Sequence, residues 1–212
     1  MKTILKCRLI LAILLIFLLK FSLAQASDGI PALQNLEDEE YRVVAAVVAQ
    51  VHLSHSPHWF ILADRTTSFE CNPPANTGLA IGGCSGMRTV NQEPHEVLQI
   101  VISSIKGVTN NLTSDLEAKA RTSVPVEKTL PLNIRQVIWG SSSGKSFPRE
   151  LGNPDFALYH SRVGFNKQKT RALVDVATIS WIDSSRSLGE YVYLEKMKKD
   201  WQVKGRMKLW SI

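Results

Sequence analysis

Cysteine is scarce in this chain, long apolar runs are rarer still, and no catalytic motif is complete. Only three of the 212 residues are cysteine, so a packed core rather than a dense set of crosslinks must hold the fold. Internal repeats and low-complexity tracts are absent. The longest apolar run, Leu9 to Leu19, has eleven residues, about half of what a bilayer span needs.

That short run sits in an informative place. Lys2, Lys6 and Arg8 precede it with no acid among them, and Ala24-Gln25-Ala26 supplies small residues in an A-x-A pattern after it. A basic start, a short apolar middle and a small-residue exit make residues 1–26 a cleavable secretory signal. The competing reading is an uncleaved anchor from Leu9 to Ala26. It would place Lys20 in the membrane at a cost of about 2.5–3.5 kcal/mol. Cleavage leaves no stable membrane span and predicts a secreted or periplasmic protein.

Cleavage also removes most of the net positive charge, which is +6 for the full chain. The 186 residues that follow hold 21 basic and 19 acidic side chains, a net charge of +2. No nucleic-acid partner is expected, since that function needs a concentrated basic patch. The one dense basic group is Lys196, Lys198, Lys199, Lys204, Arg206 and Lys208. The alternation of Lys204, Arg206 and Lys208 suggests the solvated face of a strand, with anion contact as the other reading.

Cys7 leaves with the signal, so Cys71 and Cys84 remain as a pair in an oxidising destination. A disulfide is the default there. The segment between them holds two prolines, three glycines and two asparagines, a composition unsuited to regular structure. Closing this ring contributes about 3 kcal/mol on the chain-entropy model. A nucleophilic Cys84 would need a base beside it and a lowered pKa, and the sequence supplies neither.

Residues 27–36 form a flexible lead-in, and 37–212 form one globular domain. Glu37 to about Ser54 reads as a helix, with Tyr41, Val44, Val47, Val48 and Val51 on one face and acids in the first turn. His58 to Asp64 reads as a buried strand. Pro94 opens a second helix, with Val97, Ile100, Val101, Ser104 and Ile105 inward and Gly107 at its end. Ser114-Asp115-Leu116-Glu117 matches a capping box opening a shorter helix toward Arg121. Leu132 to Trp139 is a strand.

The last sixty residues are a run of strands near Tyr159–Asn166, Arg171–Ile182, Gly189–Lys196 and Trp201–Ser211. Hairpin-length connections pair them antiparallel in order. The expected class is α+β, with the N-terminal helices packed on one face of a C-terminal antiparallel β-meander.

Ser161-Arg162-Val163-Gly164-Phe165-Asn166, Ala172-Leu173-Val174, Tyr191-Val192-Tyr193-Leu194-Glu195-Lys196, Trp201-Gln202-Val203 and Trp210-Ser211 form a pattern. In it the chain resembles a family of exported bacterial proteins with an SRVGFN…ALV…YxxLEK…WxV signature near the C-terminus. The match covers roughly the last 60 residues, with a looser likeness in the first helix and the Trp59–Asp64 strand. The 177–188 stretch departs from it. The resemblance implies export and a shared fold, and it transfers no catalytic residue.

Each chemical candidate has a plainer rival. His52, His55 and His58 could offer imidazoles to zinc. Their spacing at a helix end followed by Pro57 instead suits capping or solvated surface, and no metal is expected. Trp139-Gly140-Ser141-Ser142-Ser143-Gly144-Lys145-Ser146 is one residue short of a phosphate loop, and Phe147-Pro148 blocks the helix that loop needs. Gly83-Cys84-Ser85-Gly86-Met87 fails the nucleophile-elbow pattern at Met87. Asn111-Leu112-Thr113 fits a glycosylation acceptor by chance. No cofactor is expected.

Arg162, Tyr191, Tyr193 and Glu195 remain as a candidate pocket, joined by Asn166 on the same group of strands. Alternation sends Tyr191, Tyr193 and Glu195 to one face, where a covering helix could enclose a cavity. The structural rival is a ladder in which Arg162 pairs with Glu195 and the tyrosines pack on the sheet. The functional expectation is a non-catalytic exported domain that binds a partner or serves the envelope or extracellular space. The alternative is a small α+β enzyme or ligand carrier with its pocket between meander and helices.

Overall fold

Alternating apolar residues in the C-terminal third build antiparallel strands against which the described helices pack. The computed structural model describes residues 35–53, 59–68, 94–140, 152, 154–180 and 187–211. The signal segment, Cys71, Cys84, His55, His58, Ser85 and residues 141–146 lie outside them.

The helices are α1 (Asp38–Val47), α2 (Pro94–Ser104) and α3 (Asn110–Lys119). A π-helical turn, Val48–His52, continues α1. The strands are β1 (Trp59–Ala63), β2 (Arg135–Trp139), β3 (Phe156–His160), β4 (Gly164–Phe165), β5 (Arg171–Ser180), β6 (Leu188–Met197) and β7 (Asp200–Ser211). They form one seven-stranded sheet in the order β2-β1-β3-β5-β6-β7, with β4 also on β5.

The expected antiparallel meander is present as β3-β5-β6-β7, but the expected Tyr159–Asn166 strand is replaced by β3, ending at His160, and the separate two-residue β4, both on β5. Beyond it, β1 runs parallel to both β2 and β3, so the sheet is mixed. Parallel neighbours need long crossovers, and the first of these carries α2 and α3.

The helices do not share one face. Successive side chains of a strand point to opposite sides. Ala172, Val174 and Val176 of β5 and Val192 and Leu194 of β6 join Tyr41, Val43, Val44, Val47 and Val48 of α1 in one buried cluster. Leu173, Tyr191 and Tyr193 join Val97, Leu98, Val101, Ile105, Leu112 and Leu116 of α2 and α3 in another. Both sides of the meander are apolar, so each collects helices. Full burial of each such aliphatic side chain contributes about 1.5–3 kcal/mol.

Two local expectations are corrected. The third helix starts at Thr109 and Asn110, so Ser114 lies inside it and the apparent capping box is not a cap. Leu112 and Leu116, four apart and fully buried, set the helix there. In α2 the inward stripe includes Leu98, while Ile100 is 46% exposed.

Two glutamine amides act as stand-ins for peptide groups. Gln50 donates to the Trp201 carbonyl at 2.8 Å and accepts from the Val203 N–H at 3.0 Å, along the outer edge of β7. Gln136 does the same with Leu130, at 2.8 and 2.9 Å.

Candidate functional site

The first turn of α1 carries Asp38, Glu39 and Glu40, placed where the helix dipole favours negative charge. Glu40 points inward and is 0% exposed. Its carboxylate accepts from Arg162 Nε at 2.8 Å, Arg162 NH2 at 2.9 Å, the Val163 N–H at 2.9 Å and the Glu37 N–H at 2.9 Å. Burial pushes this carboxyl up. The bonds from Arg162, Val163 and Glu37 outweigh it and hold the group below its ordinary value.

Glu39 faces the next element over. One oxygen accepts from Lys196 Nζ at 2.6 Å and from the Trp201 indole at 2.8 Å, and the other meets Arg42 at 3.3 Å. Burial works against its charge, and the Lys196 and Trp201 bonds reverse that effect.

The residues from Ser161 to Asn166 have structural tasks. Ser161 Oγ donates to the Arg162 carbonyl and accepts from the Asp175 N–H. Gly164 gives passage to α3, since a Cβ there would lie 2.6 Å from the Leu112 carbonyl oxygen and 2.8 Å from the Leu116 nitrogen. Phe165 donates its N–H to Asp115 at 2.7 Å and meets Trp201 with ring centres 5.9 Å apart. Asn166 closes the following turn by accepting from the Thr170 and Arg171 N–H groups. Arg162, Val163, Lys196 and Trp201 all converge on Glu39 and Glu40.

The four candidate pocket residues are not brought together. Arg162 serves the α1 side, whereas Tyr191 and Tyr193 are buried beneath α2 and α3. The expected Arg162–Glu195 pairing is corrected: Arg162 belongs to Glu40, 122 residues away in sequence. Glu195 accepts from the Tyr193 hydroxyl at 2.6 Å and lies 3.8 Å from Arg171. Burial and that hydroxyl bond push the Tyr193 hydroxyl up to about 12. The tyrosines do pack on the sheet, and the Tyr193 ring fills the space where a Cβ on Gly107 would sit.

A second ionisable group lies where α1 ends. The π-helical turn directs His52 toward β6, and its Nε2 is 3.7 Å from Glu190 Oε1. Glu190 Oε2 accepts from Arg206 Nε at 2.7 Å and lies 2.7 Å from Arg206 NH2. His52 Nε2 and Glu190 Oε1 are both buried, and each lacks a hydrogen-bond partner among the described residues. Burial, then the Arg206 charge, lower the His52 pKa to about 4. Burial raises that of Glu190, with Arg206 opposing, so its negative charge is a weak counterweight for the imidazole. Sequence reasoning placed His52 at a solvated helix end and missed Glu190. The signal was an acid directly before the apolar run Tyr191–Leu194.

No group of three His, Cys, Asp or Glu side chains is arranged for a metal among the described residues. A groove of about 500 Å³ beside α1 is lined by Ala45, Ala46, Ala49, Leu132, Lys199 and Trp201. Among the described residues no helix is long and apolar enough to cross a membrane. Compared with known proteins, the chain matches no family model, no curated protein and no solved structure.

Proposed function

We propose that this chain is exported, cleaved after Ala26, and works in the periplasm or outside the cell as a non-catalytic binding or interaction domain. The observation that carries the reading is the dispersal of the candidate pocket. Arg162 pairs with Glu40 of α1, whereas Tyr191 and Tyr193 lie in the buried cluster with α2 and α3. The reading takes the N-terminal helices and the meander as one scaffold, with Glu39 and Glu40 as the clamp between α1 and the strands. The resemblance to exported bacterial proteins fits this, because the signature residues serve that clamp. Binding then belongs to the surface, including the groove beside α1.

A second reading has one observation in its favour. His52 and Glu190 present facing polar atoms between α1 and β6, where a small enzyme or ligand carrier would hold its chemistry.

The test is native mass spectrometry of protein purified from its own host, with N-terminal sequencing of the same sample. A mature chain beginning at Ser27 with a retained macromolecular partner is the expected result. A retained small molecule, lost on His52→Gln, moves the assignment to the second reading. An intact Met1 in the membrane fraction overturns export.

A further inference from the structure

Hairpins put their turns at the ends of a sheet, and here two of them share one end. β5 begins at Arg171 and β6 ends at Met197, and the strands are antiparallel neighbours with Arg171 opposite Glu195. The turn before β5 and the turn after β6 are thus side by side, joined by the Lys196 N–H to the Thr170 carbonyl at 2.8 Å. The first turn is Lys167-Gln168-Lys169-Thr170 and the second is Lys198-Lys199, closed by Met197 opposite Asp200. Lys169 and Lys198 hold φ of 51° and 60°, which fixes each turn in a tight form.

Both turns are exposed. Lys169 is paired with Glu37, Lys196 with Glu39 and Arg171 with Glu195. Lys167, Lys198 and Lys199 have no ion pair among the described residues, and Asp200 is the unpaired acid beside them. Met197, 48% exposed, stands at the tip among these cations. A cluster of lysines around a projecting apolar side chain suits a surface with anionic headgroups over an apolar interior. A soluble polyanion would use the lysines and leave Met197 idle.

We propose that the paired turns 167–170 and 197–200 dock the protein peripherally on an anionic phospholipid surface, with Met197 entering the interface. This deepens the reading of an exported envelope domain and rests on it for access to such a membrane.

The test is sedimentation of the purified protein with vesicles of phosphatidylcholine containing about a quarter phosphatidylglycerol, against phosphatidylcholine alone. Binding to the anionic vesicles only is expected. It should fall at least tenfold from ~0.05 to ~0.5 M salt, as the screening length drops from about 14 to about 4 Å. Each surface lysine adds about fivefold, so Lys167→Gln, Lys198→Asn and Lys199→Gln together should lose on the order of a hundredfold. Asparagine at 198 keeps the left-handed turn. Asp200→Asn should gain about fivefold by the same reasoning. Lys208→Gln, far along β7, should change nothing, and thermal melts confirm that each variant is folded. Equal binding to both vesicle types, an unchanged triple variant, or capture by a soluble polyanion without vesicle binding overturns the proposal. Export is decided by N-terminal sequencing, so the two claims fail separately.

Discussion

Replacing Glu40 by glutamine tests the clamp directly. The buried carboxylate accepts four hydrogen bonds, two of them from one guanidinium. Glutamine keeps one acceptor oxygen and turns an N–H₂ toward the remaining donors, so Arg162 stays buried with part of its charge unanswered. Removing one partner of a buried pair costs about 3–5 kcal/mol, a large part of a domain's ~5–15 kcal/mol. With a urea slope of about 2 kcal/mol per molar, the unfolding midpoint should fall by about 1.5–2.5 M. The double variant Glu40→Leu with Arg162→Met removes the stranded charge. It leaves the Val163 and Glu37 N–H groups without that acceptor, a residual cost of about 1–3 kcal/mol for the buried Val163 donor. The double should therefore be milder than the sum of its singles by more than about 2 kcal/mol. Additive singles, or a cost of Glu40→Gln under about 1 kcal/mol, would refute the argument. The sign with pH also follows. A folded carboxyl below its unfolded value contributes stability above about pH 4.5 and loses it as pH falls further.

Three more outcomes are expected. The folded His52 stays neutral between pH 6.5 and about 4 while the unfolded chain takes up a proton, so this residue lowers stability as pH falls through that window. His52→Gln should flatten that part of a melting-temperature profile, and an unchanged slope would remove His52 from the account. Gly164→Ala drives a Cβ into the α3 backbone and should cost about 1–3 kcal/mol or more in chemical denaturation. Thiol labelling of unfolded, unreduced secreted protein should find Cys71 and Cys84 blocked, and two labelled cysteines would refute the disulfide.

The meander was legible because its information is local. Period-two patterns and short polar turns placed β5, β6 and β7 within a residue or two at the ends described; of the expected helical stripe, Tyr41, Val44, Val47 and Val48 are buried and Val51 half-buried, with Glu40, Val43 and Ala45 buried beside them. The parallel insertion of β1 between β2 and β3 carries no local mark, since a short apolar run reads alike in either direction. The apparent cap at Ser114 misled for a similar reason: Leu112 already belonged to the apolar stripe. The Glu40–Arg162 pair joins residues 122 apart. The trace it leaves in sequence is an acid at the head of the stripe through Val44 and Val47. A charge on a face that must be dry implies an opposite charge waiting inside.

The Gln50 amide has a chemical lifetime as well as a geometry. Its nitrogen is the donor that meets the Trp201 carbonyl, so hydrolysis to glutamate would set oxygen against oxygen and release the start of the outermost strand. Unpaired strand edges recruit other chains, and glutamine is among the residues that heat and time attack. With that edge uncovered, loss of one amide would make age itself a cause of self-association.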